Sequence, residues 1–114
     1  MEAKAIHRYI GSSPRKMRLL IDVIRGMSVE KAIEVLHFSP KHASKDAEKV
    51  VRSAVANLMN QDDSTRVDTA DLYIKEAFVN QGPTLKRISP APMGRAYRIR
   101  KRSCHLTVVV ATKE

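Results

Sequence analysis

The residue types that most often carry out chemistry are sparse in this 114-residue chain, which has one cysteine and four histidines. Cys104 and His105 are adjacent in a predicted β-strand, so their side chains point to opposite faces and cannot form a nucleophile–base pair. The other histidines, His7, His37 and His42, lack the spacing of a metal site. The sequence therefore predicts no catalytic residue, no metal site and no cofactor.

The chemistry that the sequence does favour is binding to a polyanion. Residues 77–113 contain eight basic side chains and neither Asp nor Glu, whereas residues 1–76 contain 13 basic and 11 acidic ones. Charges are screened over about 8 Å at physiological salt, so distant acidic residues cannot neutralise a basic segment that extends away from them. Acid-free, arginine-rich segments neutralise phosphates and gain affinity by releasing counterions. We therefore expect contact with nucleic acid.

Two kinds of nucleic acid fit such a segment. A long thin arm suits insertion between the helices of a folded RNA, where shape and phosphate contacts dominate. The alternative is a DNA-architectural protein, since the bacterial histone-like proteins also carry arginine-rich β-arms with proline near the tip. An enzyme acting on RNA is a third interpretation, which only Cys104 and His105 could support.

The basic residues need a scaffold that holds them in an extended arm. Two segments rich in β-branched and aromatic residues, 70–80 and 103–112, would be the roots of a long basic β-hairpin spanning about residues 81–102. At about 3.3 Å per residue, this arm would project on the order of 35 Å. Its stiff, uncharged tip would comprise Pro90, Ala91, Pro92, Met93 and Gly94.

A small α+β body of three helices packed on a three-stranded antiparallel sheet is predicted to carry the arm. The body would span about residues 1–80 and 103–114 and would share a single domain with the arm. Residues 2–10 alternate loosely in polarity and would supply the third strand of the sheet. One side of that strand is predicted to carry Ala3, Ala5, His7 and Tyr9.

Capping signals set the predicted helix bounds. Ser13 followed by Pro14 would begin the first helix, because serine caps free amide groups and proline needs none at the first position. A second helix would end at His37. The third would run from Pro40 to about Gln61, with its alanines close to another element.

Cations on the first helix form a second candidate binding surface. They are Arg15, Lys16, Arg18 and Arg25. Three of them cluster at the N-terminal end, where the helix dipole gives cations no help and a nearby phosphate would. The alternative is a solvated helix face on which Asp22 pairs with Arg18. On the third helix, Asn57 is either a buried amide bonded to a neighbouring backbone group or a contact with RNA.

Cysteine content and hydropathy bear on the cellular compartment. A single cysteine excludes an internal disulfide and fits a reducing compartment. The longest aliphatic run, residues 108–111, is far too short to cross a bilayer, and no apolar signal segment is present at the N-terminus. We therefore expect a cytosolic protein with neither a membrane nor a small-molecule substrate among its partners.

With these residues identified, the chain closely resembles the bacterial ribosomal protein L-twenty-two family. In the second half, the shared motifs are Gly82-Pro83, Lys86-Arg87, Pro90, Gly94-Arg95-Ala96, Lys101-Arg102, His105 and Thr107 to Val110. In the first half, they are Ser13-Pro14-Arg15-Lys16, Ile24-Arg25-Gly26, Glu48-Lys49, Ser53-Ala54 and Ala56-Asn57. The chain departs from the family at the tip, where Ala91-Pro92-Met93 stands in place of a commonly more basic segment.

The resemblance implies a structural constituent of the large ribosomal subunit that binds large-subunit rRNA and supports assembly in the cytoplasm. The hairpin would follow the rRNA, and its tip would line the nascent-polypeptide exit tunnel near the macrolide site. Other partners would be neighbouring large-subunit proteins and the nascent polypeptide, with the protein itself monomeric in the ribosome. The residues expected to bind rRNA are Arg15, Lys16, Arg18, Arg25, Lys86, Arg87, Arg95, Arg98, Arg100, Lys101, Arg102 and His105.

Overall fold

A computed structural model describes residues 2–61, 71–90, 92–94 and 96–112, and it confirms the predicted α+β architecture. In chain order the elements are β1 (Glu2–Ile10), α1 (Pro14–Ile24), α2 (Val29–His37), α3 (Ser44–Gln61), β2 (Leu72–Gln81), β3 (Leu85–Pro90), β4 (Ala96–Lys101) and β5 (Cys104–Thr112). Antiparallel pairing orders the body sheet β1-β5-β2. The strands β3 and β4 form a separate two-stranded sheet, which is the arm.

The centre of the body sheet is β5, which pairs with β1 on one side and β2 on the other. Leu106, Val108 and Val110 alternate along β5 and are fully buried. These residues place one face of the antiparallel sheet against the core, and Thr107 on the other face is also buried, at 7% exposure. Residues from all three helices complete that core, among them Ile21, Ala32 and Val51.

The helix α1 begins where the capping signal predicts. The Ser13 hydroxyl accepts a hydrogen bond from the Lys16 amide at 3.3 Å, and Pro14 occupies the first helical position. After the helix, Gly26 adopts a φ of 84°, a conformation that glycine reaches without strain. Its amide donates to the Ile74 carbonyl at 3.1 Å, which joins the end of α1 to β2.

The helix α3 begins at Ser44, so the predicted start at Pro40 was wrong by four residues. The Ser44 hydroxyl donates to the Lys41 carbonyl at 2.6 Å, and the Lys41 amide donates to the Ser39 hydroxyl at 3.3 Å. Such local bonds between serine side chains and the backbone compete with helix formation. They hold residues 39–44 in a turn, so the helix begins only at Ser44.

The strand β1 contains a bulge, so its last residues point to other sides of the sheet than predicted. Ala3 and Ala5 are buried as predicted, but the pairing register shifts between His7 and Ile10. An extra residue reverses the alternation of side chains beyond the bulge. As a result Ile10 enters the core at 2% exposure, while Tyr9 is turned outward at 68%.

The arm makes the molecule elongated, with dimensions of 66 × 24 × 15 Å. Its radius of gyration is 17.3 Å, against about 13 Å for a compact chain of this length. The paired part of the arm is shorter than predicted, because Gln81 pairs with Cys104 in the body sheet. Six residues per strand give about 20 Å of ribbon. That body and arm constitute one domain stays a prediction.

Candidate nucleic-acid interface

The register of the β3–β4 hairpin distributes its cations between two faces. Residues paired across an antiparallel ladder share a face, and successive residues along a strand alternate between faces. One face, termed the basic face, carries Lys86, Ile88, Pro90, Ala96, Arg98 and Arg100. The other, termed the mixed face, carries Leu85, Arg87, Ser89, Tyr97, Ile99 and Lys101.

Two cations of the basic face oppose each other directly, since Lys86 pairs with Arg100 in the ladder. Like charges in opposed positions destabilise a pair of strands. Among the described residues, neither of them forms an ion pair with a carboxylate. Arg98 lies two residues from Arg100 on the same face and likewise has no carboxylate partner in that part of the chain. An anion placed along this face would relieve the repulsion.

The apolar residues of the arm also lack cover. Ile88 on the basic face is 76% exposed, and Leu85 and Tyr97 on the mixed face are more than half exposed. A two-stranded ribbon without a packed face is marginally stable in water. We therefore expect the conformation of the arm to be stabilised mainly by another molecule that packs against it.

The tip of the arm is a tight turn at Pro92–Gly94, in which Met93 has left-handed and not helical backbone angles. Met93 and Gly94 both have positive φ, at 63° and 72°. The Met93 side chain is 95% exposed. The tip thus presents a flexible apolar side chain outward. Ala91 and Arg95, which were also predicted to belong to the site, lie outside the described residues.

Hydrogen bonds at the junction fix how the arm leaves the body. The Gly82 amide donates to the Ser103 carbonyl at 2.9 Å, and the Ser103 hydroxyl donates to the Pro83 carbonyl at 2.7 Å. A Cβ atom on Gly82 would lie 2.6 Å from the Ser103 Oγ. The segments around Gly82 and Ser103 are therefore too close for a side chain at position 82 to fit without displacing Ser103.

Two of the four predicted cations, Arg18 in α1 and Arg25 directly after it, bond to the protein itself. The Arg18 Nη2 donates to the Val79 carbonyl at 3.1 Å, and the Arg25 Nε and Nη2 donate to the Ala77 carbonyl at 3.0 and 2.7 Å. Both carbonyls belong to β2, an edge strand whose outward groups need partners. Asp22 pairs with Arg25 at 3.0 Å, and not with Arg18 as the alternative interpretation of a solvated helix face had it.

The other two cations of α1, Arg15 and Lys16, are exposed and form no ion pair within the described ranges. Lys16 lines a groove of about 470 Å³ together with Lys41 and His42. These two residues come from the turn before α3, and the sequence-based site did not include them. Their proximity to Lys16 arises from tertiary packing, so no local pattern could have indicated it.

His105, predicted to bind rRNA, lies at the root of the arm beside Tyr9. The Tyr9 amide donates to the His105 Nδ1 at 3.0 Å, and the two rings meet edge to face with centroids 5.0 Å apart. Because Nδ1 accepts this bond, the neutral ring carries its proton on Nε2. The neighbouring Cys104 is fully buried, and burial raises the pKa of its thiol. The reactive thiolate is thereby disfavoured.

Asn57 lies at the opposite edge of the sheet from α1. Its Nδ2 donates to the Lys4 carbonyl at 3.0 Å, which agrees with the predicted backbone bond, but the side chain is exposed and not buried as predicted. At the N-terminal end of α3, Lys45 and Lys49 are also exposed. Their four-residue spacing places them on one helix face, a signal that was present in the sequence but was not used for the site.

Other body cations pair with carboxylates. Arg52 donates to the Glu48 Oε1 at 2.8 and 3.1 Å, and this hydrogen bond holds the pKa of the Glu48 carboxyl below its usual range. Lys75 donates to the Glu2 Oε2 at 2.7 Å, and that bond lowers the pKa of Glu2 and raises the pKa of Lys75. These two body cations are thus neutralised within the chain.

A cluster of metal ligands or a membrane-spanning helix would indicate binding to a metal ion or a bilayer. Within the residues that the structure describes, no three His, Cys, Asp or Glu side chains come together as metal ligands do. Over those same residues, no helix has both the length and the apolar character needed to cross a bilayer.

Comparison with known proteins gives consistent matches over body and arm. A family model described as ribosomal protein L22p/L17e matches residues 5–111. The large ribosomal subunit protein uL22 of Chlorobium phaeobacteroides (strain BS1) is 53% identical over 112 residues, covering 98% of this chain and 96% of the relative. The protein of that name from Chlorobaculum tepidum is 52% identical over 110 residues, covering 96% and 92%. The one from Desulfitobacterium hafniense (strain Y51) is 50% identical over 113 residues, covering 99% and 96%.

Proposed function

Because the chain belongs to the ribosomal protein L22p/L17e family, and so is a constituent of the large ribosomal subunit in the cytoplasm, we propose that its arm binds large-subunit rRNA. The family is structural rather than catalytic, and we assign the chain no reaction of its own. Its role would be to hold rRNA segments together during assembly, with neighbouring subunit proteins as further partners.

The observation that carries this proposal is the pair of opposed cations on the basic face. Lys86 and Arg100 repel each other across the ladder, and the acid-free segment around them offers no internal carboxylate. An RNA backbone supplies phosphates along a line, so one strand of RNA can neutralise both of them together with Arg98. Arg87, Arg95, Lys101 and Arg102 would add contacts from the other side and the ends of the arm.

On the body, Arg15 and Lys16 are the cations of α1 best placed to reach RNA. Arg18 and Arg25 donate to β2 carbonyls and can offer a phosphate only the donors that remain. A guanidinium group has five donor N–H groups, so a second role is compatible with the first. We propose that Arg18 and Arg25 contact RNA more weakly than Arg15 and Lys16, and that His105 contacts it through Nε2.

We further propose that residues 90–94 face the nascent polypeptide in the exit tunnel. The exposed Met93 supports this, since a flexible, polarisable thioether can contact side chains of many shapes without requiring one of them. A photo-cross-linking residue at Met93 should capture nascent chains on ribosomes, whereas the same residue at Ile88 should capture rRNA. Capture of nascent chains at both positions, or at neither, would contradict this assignment of the tip.

Salt-dependent binding tests the role of the basic face. The full chain is titrated against transcribed large-subunit rRNA between 50 and 200 mM salt, and wild type is compared with Lys86→Gln/Arg98→Gln/Arg100→Gln. For each cation that binds a phosphate, its removal should lower the salt slope by about 0.7 to 0.9 and weaken binding by about 1 kcal/mol. We expect the triple variant to show both effects.

The matched control is Lys31→Gln/Arg52→Gln/Lys75→Gln, which removes equal charge from the body, in two cases from internal ion pairs. It should keep most of the affinity and slope. Equal losses in the two variants would show that total charge, and not the arm, determines binding. A duplex-DNA competitor that displaces the rRNA at equal concentration would favour the DNA-architectural alternative.

A further inference from the structure

A hollow of about 640 Å³ lies between the root of the arm and the body. Its volume is within the range of pockets that hold small organic molecules. Tyr9 and Gly11 line it from the body, and Pro83 and Leu85 line it from the start of the arm. Arg100, Lys101 and Arg102 line it from the returning strand. It therefore combines an aromatic residue, apolar walls and three adjacent cations.

The fold places Tyr9 in this hollow and not in the hydrophobic core. A regular β1 would turn the Tyr9 side chain to the same side as Ala3 and Ala5, where a large aromatic residue would stabilise the core. The bulge instead gives Tyr9 a φ of 59°, which is uncommon for a residue with a Cβ atom, and leaves it 68% exposed. Bulges often re-aim a side chain beside a functional site.

Tyr9 is also held in place. Its amide donates to the His105 Nδ1 at 3.0 Å, and the edge-to-face contact of the two rings fixes the position of the tyrosine ring beside β5. A pre-positioned ring loses little entropy when a ligand stacks on it. Along the part of the chain that the structure describes, no Asp or Glu lines the hollow, so its potential favours an anion.

We propose that this hollow binds one unpaired RNA base, which stacks on Tyr9 while its flanking phosphates contact Lys101 and Arg102. Stacking on aromatic side chains is the usual way in which proteins hold unpaired RNA bases. The apolar walls at Pro83 and Leu85 accommodate the base, and the cations accommodate the backbone that enters and leaves. The inference rests on the proposed rRNA binding and adds a contact to a base where the arm contacts phosphates.

The test compares ring-removing and ring-keeping variants of the full chain on transcribed large-subunit rRNA. Tyr9→Asn removes the ring, and asparagine tolerates a positive φ. Tyr9→Phe keeps the ring and removes only the hydroxyl. We expect Tyr9→Asn to bind roughly tenfold more weakly with an unchanged salt slope, because stacking involves no counterion release. Tyr9→Phe should bind within about twofold of wild type.

Chemical probing of the rRNA supplies a second readout. At least one unpaired base protected by wild type and Tyr9→Phe should become reactive in the Tyr9→Asn complex. If Tyr9→Asn does not fold, as judged by circular dichroism, Tyr9→Gly replaces it, because glycine adopts positive φ without strain. Wild-type affinity and protection in the ring-removing variant would overturn the inference, as would equal weakening in Tyr9→Phe.

Failure of the inference can be told apart from failure of the proposed function. If the arm does not bind rRNA, the basic-face triple variant keeps its affinity and slope. If only the stacking site is wrong, that triple variant still loses affinity while the Tyr9 variants match wild type.

Discussion

The body and the arm differ in the partners that their cations have. In the body, Arg18 and Arg25 donate to backbone carbonyls of an edge strand, and Arg52 pairs with Glu48. In the arm, Lys86 and Arg100 oppose each other with no carboxylate partner among the described residues. Several body cations thus have partners within the chain, whereas Lys86 and Arg100 need an anion from outside. The boundary between these regimes lies within a few residues of Gly82.

The largest expected effect extends the comparison to apolar side chains, with one substitution made in each region. Ile74 in β2 is fully buried, and Ile88 in β3 is 76% exposed. Ile74→Ala should destabilise the protein by about 2 to 5 kcal/mol through reduced burial and a cavity. Ile88→Ala should change stability by less than about 0.5 kcal/mol. Urea unfolding of both variants measures the difference, and comparable losses would mean that the isolated arm has a packed core after all.

The second prediction concerns the junction of the two regions. In Gly82→Ala the new Cβ would lie 2.6 Å from the Ser103 Oγ, so Ser103 must move and lose its bond to the Pro83 carbonyl. We expect a loss of about 1 to 3 kcal/mol in the free energy of unfolding, measured in urea.

Gly11→Ala is the matched control for the junction, since a Cβ atom added there would meet no other part of the chain within 4 Å. Its stability should stay close to that of wild type. Combining Gly82→Ala with Ser103→Ala removes the colliding hydroxyl, so the double variant should recover part of the loss. Strictly additive losses would show that the collision with Ser103 is not the cause.

The third prediction separates two arginines of α1 that look alike in the sequence. Arg25→Ala removes the donors to the Ala77 carbonyl and should reduce stability by about 1 kcal/mol, a modest value because the side chain is partly exposed. Arg15→Ala should leave stability within about 0.5 kcal/mol of wild type and weaken rRNA binding more than Arg25→Ala does. If both substitutions changed stability and rRNA binding equally, the proposed difference between Arg15 and Arg25 would be wrong.

Patterns of residues predicted much of the fold, and contacts between distant segments account for what they missed. The periodicity of Leu106, Val108 and Val110 and the Ser13-Pro14 cap were sufficient because each acts within a few residues. The bulge at Tyr9 and the bonds of Arg18 depend on pairing with segments far along the chain. No local pattern contains that information. The basic character of the arm was plain from the sequence, whereas the opposition of Lys86 and Arg100 required the register.

The smallest expected effect is the pH dependence that the body alone should show. Hydrogen bonding from Arg52 lowers the pKa of Glu48 below its ordinary value of 4.5, so the folded state favours the carboxylate. That contribution to stability is fully present above pH 4.5 and is lost as the pH falls through the lowered folded-state pKa. An ion pair of this spacing, with Arg52 exposed and Glu48 partly covered, contributes roughly 0.3 to 0.5 kcal/mol.

Glu48→Gln should therefore remove a small part of the acid-induced loss of stability that wild type shows between pH 6 and pH 3, measured by urea unfolding at each pH. Arg52→Gln should remove a smaller part, because His37 Nδ1 lies 3.4 Å from the Glu48 Oε1 and also lowers the pKa of that carboxyl. Residues 77–113 contain no carboxylate side chain, so the arm has no corresponding group to titrate in this range. An arm-localised probe, such as a fluorophore at Ile88, should report no acid transition before the body unfolds. A separate transition at the arm near the pKa of Glu48 would mean that the two regions are electrostatically coupled, contrary to the division that their charge patterns indicate.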